Sequence, residues 1–131
     1  MMSIFSKIIR GEIPCYKIAE NESCFAFLDI NPKAKGHTLV IPKKEVDYLF
    51  DLGEHDYIEL QKFVKKIAEA QKKALNCNRI CTAVIGYEVP HAHIHLLPSN
   101  SMADATLSGK TKKYSKEEMQ EIAQMIQDNM E

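Results

Sequence analysis

His91-Ala92-His93-Ile94-His95-Leu96-Leu97 places three of the chain's five histidines at alternate positions. Alternation of period two belongs to an extended strand, where successive side chains leave opposite faces. The three imidazoles therefore share one face, while Ala92, Ile94 and Leu96 enter an apolar layer on the other. A strand is expected over His91 to Leu97, and a sheet to carry it.

Packing alone does not account for three imidazoles in register, because close rings cannot all be protonated cheaply and neutral ones still need hydrogen-bond partners. Two chemistries compete for them. A metal centre is the first, but at about 3.3 Å per residue the outer two Cα atoms stand about 13 Å apart, and a Zn–N bond is only about 2 Å. One ion can be met by two neighbouring rings, hardly by all three. The helical His-x-x-x-His pattern of a zinc hydrolase, with its Glu base, is absent. Nucleophilic catalysis is the second: imidazole with a reference pKa of about 6.5 is largely neutral at pH 7 and can form covalent intermediates. A neutral His93 between two further imidazoles suits attack on phosphorus, with the neighbours donating to the developing charge. That chemistry has no obligatory metal or other cofactor.

The rest of the chain supplies the elements of an α+β fold built on a mainly antiparallel sheet. Apolar positions 4, 5, 8 and 9 form a short helix that stops at Gly11. Ser23 to Asp29 and Gly36 to Pro42 read as two strands joined by the Asn31-Pro32 to Gly36 turn. Tyr57, Leu60, Val64, Ile67, Ala68 and Leu75 recur at helical spacing, which predicts one long amphipathic helix from Glu54 to Leu75, ended by Asn76-Cys77-Asn78. Arg79 to Glu88 is a further β-rich run. Pro98 to Lys113 is polar and reads as a surface loop. Ser115 and Glu118 fit a capping box, opening a C-terminal helix whose stripe is Met119, Ile122, Ala123, Ile126 and Met130.

A chain of 131 residues falls within the roughly 100–200 expected of one domain, so residues 1–131 are read as a single unit. Seventeen basic against eighteen acidic residues leave a net charge of −1, which gives no sequence-wide field for nucleic acid or an anionic membrane. The apolar runs fall far short of the roughly 18 residues a spanning helix needs, and residues 1–10 lack a signal-peptide core. A cytoplasmic protein is the expectation. Cys15, Cys24, Cys77 and Cys81 form no Cys-x-x-Cys pair and are read as free thiols.

With His91 to Leu97 the sequence resembles the histidine triad (HIT) superfamily of nucleotide hydrolases and transferases, in its Hint-like branch. Three further segments match in order: Ile4 to Pro14, Ala26 to Pro32, and Gly36 to Lys43. The resemblance covers about residues 3–98, leaving a loop and the C-terminal helix beyond it. It implies a HIT-like fold, a homodimer, and a purine nucleotide in a cleft beside the triad strand. Phe5, Ile8, Phe27 and Ile30 would line the base pocket, and Asp29 would accept from the ribose hydroxyls. Gly86, Glu88 and Val89 would complete the nucleotide site. His93 would be the nucleophile that becomes a nucleotidyl-histidine, later hydrolysed by water. His95 would contact the phosphate and help protonate the leaving group, and His91 and His37 would fix tautomers from behind. The implied substrates are AMP-like phosphoramidates or dinucleoside polyphosphates. Rival readings are a nucleotide-binding interaction protein with little turnover, and a His-ligated metalloenzyme.

Two departures from the family pattern bear on the site. Many bacterial members hold a structural zinc with a Cys-x-x-Cys near the N-terminus, a His after the Pro-Lys-Lys segment and a triad-region His. The corresponding positions here are Ser3, Ser6 and Glu45, and without thiolates no metal is expected. Before the triad, Tyr87 replaces a usual Gln and Glu88 stands where a small polar phosphate contact is common. A carboxylate aimed at phosphate is unfavourable, so Glu88 either faces away or serves leaving-group recognition or proton transfer. Ser108-Gly109-Lys110-Thr111 is not a phosphate-binding P-loop, because the Gly required earlier is Asp104. Lys110, Lys112 and Lys113 read as solvated.

Overall fold

The computed structural model describes residues 2–131. The chain opens with α1, Ile4–Ile9, whose N-cap Ser3 accepts from the Ser6 amide and so satisfies one of the free donors of the first turn. Five strands follow in antiparallel pairing: β1 Lys17–Glu20, β2 Cys24–Leu28, β3 Thr38–Pro42, β4 Arg79–Ala83 and β5 Ile94–Ser99, in the spatial order β1-β2-β3-β5-β4. The long helix α2, Glu54–Leu75, lies between β3 and β4 in sequence, and α3, Lys116–Asp128, closes the chain.

Both faces of the central strands are covered, as their uninterrupted burial shows. Cys24, Ala26, Leu28, Val40, Ile94 and Leu96 point to α2 and α3, joining Leu60, Phe63, Ile67, Ile122 and Ile126 in the main core. The intervening residues Phe25, Phe27, Leu39 and Ile41 point the other way and pack with Phe5 of α1. Period-two alternation thus sorts one set of strands into two apolar layers. Ala92, Ile94 and Leu96 join the helix-side core as expected.

Local signals located the helices. Asn76 ends α2 in the left-handed conformation, at φ 49°, which Asn adopts more readily than most residues. The capping box of α3 is complete: the Glu118 amide donates to Ser115 Oγ at 3.1 Å, and the Ser115 amide donates to Glu118 Oε1 at 2.8 Å. Gly36 has φ +84°, and a Cβ there would run into Leu75 of α2. This glycine lets the turn before β3 pass close under the helix. All four cysteines are free.

Three strand expectations need correction. β1 escaped notice because Lys17-Ile18-Ala19-Glu20 has one strong β-former among residues that strands usually lack; it forms at the sheet edge, with a register shift between Lys17 and Ala19. The run Arg79 to Glu88 keeps only its first five residues as β4, after which the chain turns through Gly86 at φ +85°. The triad strand is displaced. β5 starts at Ile94 and continues through Pro98 and Ser99, both assigned to the loop from sequence. His91 and Ala92 leave the ladder because their amides bond to Val89 O at 2.8 Å and Val46 O at 2.7 Å. Pro98 lies beyond the last β3–β5 pair, Thr38–Leu96, and is paired on the other side with Ile80 of β4. The polar loop also contains a 3-10 turn at Met102–Asp104, and its Lys112 amide docks on Pro32 O at 2.7 Å.

Candidate active site

The alternating histidines do converge. His93 and His95 have ring centroids 5.0 Å apart, and His37, on the segment leading into β3, stands 5.2 Å from His95. The Leu39–His95 pair of β3 and β5 brings these elements together, and the Asp29 amide, bonded to His37 O at 3.0 Å, brings the end of β2 alongside. His37 and His91 are buried, His93 is 6% exposed, and His95 is half-buried.

Hydrogen-bond partners assign the ring protons, since a carbonyl can only accept and an amide can only donate. His91 Nε2 lies 2.8 Å from Pro42 O and therefore carries the proton. Its Nδ1 accepts from Ser3 Oγ at 2.7 Å. His93 Nδ1 donates to His91 O at 2.8 Å, which leaves the lone pair of a neutral ring on Nε2. His37 Nδ1 accepts from the Lys33 amide at 3.0 Å, so its Nε2 carries the proton and donates to His95 Nδ1, also 3.0 Å away. His95 is left with its proton on Nε2. One site thus presents a bare nitrogen on His93 and an N–H on His95.

Electrostatics keep the supporting rings uncharged. Burial pushes His95 down to about 4, helped by the neighbouring His93 and His37 and opposed by Asp29. Burial likewise lowers His37 and His91, opposed by Asp29 for the first and by the Pro42 carbonyl and Glu45 for the second. Desolvation disfavours the cation in each case.

Phe5 joins this cluster to the apolar layer: its ring stands edge-on to His93 at 5.0 Å and to Phe27 at 5.5 Å. Ile8 and Val89 pack on the same layer. Ile30 is 69% exposed and lies outside that cluster, although the same resemblance assigns it to the base pocket. Asp29 serves two neighbours, accepting from the Asn31 amide at 2.8 Å through Oδ1 and placing Oδ2 3.7 Å from His37 Nε2. Gly86 turns the chain before the triad, and Glu88 is exposed. Sequence reasoning missed the Lys33 amide, a backbone group with no signature in the side-chain pattern.

The family of which these residues are typical is settled by comparison. The HIT domain family model matches residues 10–102. The chain belongs to the HIT domain family. A HIT-like protein of Methanocaldococcus jannaschii, itself uncharacterized, is 44% identical over 101 residues, 74% of this chain and 78% of the relative. The adenosine 5'-monophosphoramidase of Schizosaccharomyces pombe is 37% identical over 99 residues, 75% of this chain and 74% of the relative. The crystal structure of a hypothetical histidine triad nucleotide-binding protein of Sulfolobus tokodaii superposes with a TM-score of 0.84 at 31% identity, covering 95% of this chain and 89% of that one.

Among the described residues two places invite a metal, and neither donor set fits one. Asp29, His37 and His95 bring ligand atoms within 4.8 Å of one another, but the Lys33 amide holds Nδ1 of His37 and so keeps the proton on the Nε2 that would coordinate. At the family's zinc position, Ser3 and Ser6 supply hydroxyls in place of thiolates, and the His91 Nδ1 lone pair is taken by Ser3.

Proposed function

We propose that this HIT domain hydrolyses the bond between a purine nucleoside 5'-phosphate and its leaving group, most simply an adenosine phosphoramidate. The supporting observation is the His93 ring, fixed by its Nδ1–H to the His91 carbonyl so that a neutral ring keeps its lone pair on Nε2. The kinship with the fission-yeast phosphoramidase supports the substrate class.

In this reading His93 Nε2 attacks the α-phosphorus, and the bond to the leaving group breaks with its electron pair going to that group, which takes up a proton from solvent as it departs. Water then attacks the nucleotidyl-histidine at phosphorus, gives up a proton to solvent and returns the P–N pair to Nε2. His95 donates its Nε2–H to a phosphoryl oxygen as charge develops there. With its pKa near 4, His95 enters as a neutral donor, which favours phosphate contact over a standing reserve of acid. His37 and His91 act behind these two by holding their orientation. Phe5, Ile8, Phe27 and Val89 form the apolar wall for a base, with the Asp29 carboxylate beside it for the ribose hydroxyls and exposed Ile30 as a flap over the ring. Gly86 shapes the loop at the phosphate end, and Glu88 meets the leaving group or solvent. A homodimer and a cytoplasmic site of action belong to the same proposal.

Mixing the protein with an adenosine phosphoramidate and recording intact mass tests this directly. A nucleotidyl adduct is expected, absent in His93→Ala. Full-rate hydrolysis by His93→Ala would refute the assignment, and tight nucleotide binding without adduct or turnover would favour a binding protein.

A further inference from the structure

The residues that replace thiolates and imidazole at the N-terminal end form a connected set of hydrogen bonds. Glu45 Oε1 accepts from the Ser3 amide at 2.6 Å and from Ser6 Oγ at 2.6 Å. Ser3 Oγ accepts from the Ser6 amide at 3.0 Å and gives its own proton to His91 Nδ1 at 2.7 Å. Ser6 Oγ, a second acceptor for that proton, stands farther off at 3.4 Å. His91 then donates to Pro42 O, and its carbonyl receives the Nδ1–H of His93.

These bonds join the first turn of α1 to the triad through His91, whose ring accepts from Ser3 and whose carbonyl accepts from His93. Ser6 and the Ser3 amide are both spent on Glu45, so the Ser3 hydroxyl is left free to donate to the ring. Ser3 and His91 are buried, whereas Glu45 sits at the surface, on the segment after β3. Glu45 is held below the usual carboxylate range by the two Ser6 and Ser3 bonds, so it remains an acceptor in mildly acidic solution.

Resting on the nucleotide-hydrolase reading, we infer that Glu45 is a positioning residue for His93, acting through Ser3 and Ser6 on His91. Its role is to fasten the start of α1 so that the Ser3 hydroxyl faces Nδ1. That contact holds the His91 tautomer and, through the His91 carbonyl, the aim of the His93 ring. The same fastening seats Phe5, two residues after Ser3, edge-on against both histidines, with centroids at 5.8 Å from His91 and 5.0 Å from His93.

The test compares Glu45→Ala, Glu45→Gln and Ser3→Ala with the wild type, in two measurements. The first is substrate-free: imidazole 15N shifts of His91 by NMR. The wild type should show Nε2 protonated and Nδ1 hydrogen-bonded, and both alanine variants should move the Nδ1 signal toward that of a free acceptor. The second is steady-state hydrolysis of an adenosine phosphoramidate. Partners of this kind, acting behind a reacting group, typically change activity by about 10–100-fold, so Glu45→Ala should lower kcat about ten-fold with KM within about two-fold. Glu45→Gln should restore most of kcat, because its amide oxygen can accept from both donors.

Wild-type His91 shifts and kcat in Glu45→Ala and Ser3→Ala would overturn the inference. So would a loss in Glu45→Ala that Glu45→Gln fails to recover, since positioning needs only the acceptor. If the wild type forms no nucleotidyl adduct, the hydrolase reading fails by itself, while the substrate-free His91 signal still decides whether Glu45 controls the ring.

Discussion

Lys33 aims its backbone amide at Nδ1 of His37, 3.0 Å away, and this contact reaches the half-buried His95 through one further ring. By forcing the His37 proton onto Nε2, it makes His95 Nδ1 an acceptor and leaves the His95 proton on Nε2. Hydrogen-bonded partners behind reactive histidines commonly set their tautomers in this way.

The depressed imidazoles make stability depend on pH. His95, His91 and His37 all titrate below 6.5 in the folded chain, His95 at about 4. An unfolded chain binds protons at these sites first, so their contribution is intact above about pH 6.5 and is lost as pH falls toward 4. After discounting for solvent screening around His95, a loss on the order of 2 kcal/mol is expected across that window. Urea midpoints at pH 7, 5.5 and 4.5 measure it, and His95→Asn should flatten the profile.

Asp29→Asn should separate turn formation from nucleotide recognition. The amide oxygen can still accept from Asn31, so the melting temperature should change little. A carboxylate accepting from ribose hydroxyls makes charge-assisted bonds of about 1.5–3 kcal/mol, so KM should rise about ten-fold or more. Comparing a ribose substrate with its 2',3'-dideoxy analogue checks the cause: the variant should lose the preference.

Phe5 and Ile30 should behave differently despite their shared place in the proposed base site. Phe5 is 7% exposed and wedged between Phe27 and two histidines, so Phe5→Ala should destabilise by about 3–5 kcal/mol. Ile30 is largely in solvent, so Ile30→Ala should stay within about 0.5 kcal/mol of wild type. Its effect should be confined to a several-fold rise in nucleotide Kd, measured by calorimetry.

Gly36→Ala should damage both fold and site. Its φ of +84° and the nearness of Leu75 leave no room for a methyl group, which predicts a loss of about 1–3 kcal/mol from overpacking. The residue directly precedes His37, and Gln71 of α2 donates to its carbonyl at 3.0 Å, so kcat should fall as well. Chemical denaturation and turnover on one preparation check both.

Where a few adjacent residues carry the whole signal, the sequence was legible. The capping box at Ser115 and Glu118, the apolar spacing of α2 and the alternation around Ile94 each follow from contacts within one turn or one pleat. β1 was not legible, because Lys17-Ile18-Ala19-Glu20 becomes a strand only by pairing with β2. The start of β5 was misplaced for a similar reason: His91 and Ala92 look like strand residues, but the carbonyls that claim their amides belong to Val89 and Val46.

The sequence by itself determined that Ala92, Ile94 and Leu96 would enter the apolar core and leave His93 and His95 together on the other side, because side-chain alternation is a property of any extended chain. Only the tertiary structure decided what each ring does. Whether a neutral nitrogen is bare or protonated depends on its partner, and those partners come from afar: Ser3 meets His91 across 88 positions, and His37 meets His95 across 58. Alternation is local and can be read from a heptapeptide, whereas proton placement is set by long-range contacts that exist only once the sheet and α1 have closed around the site.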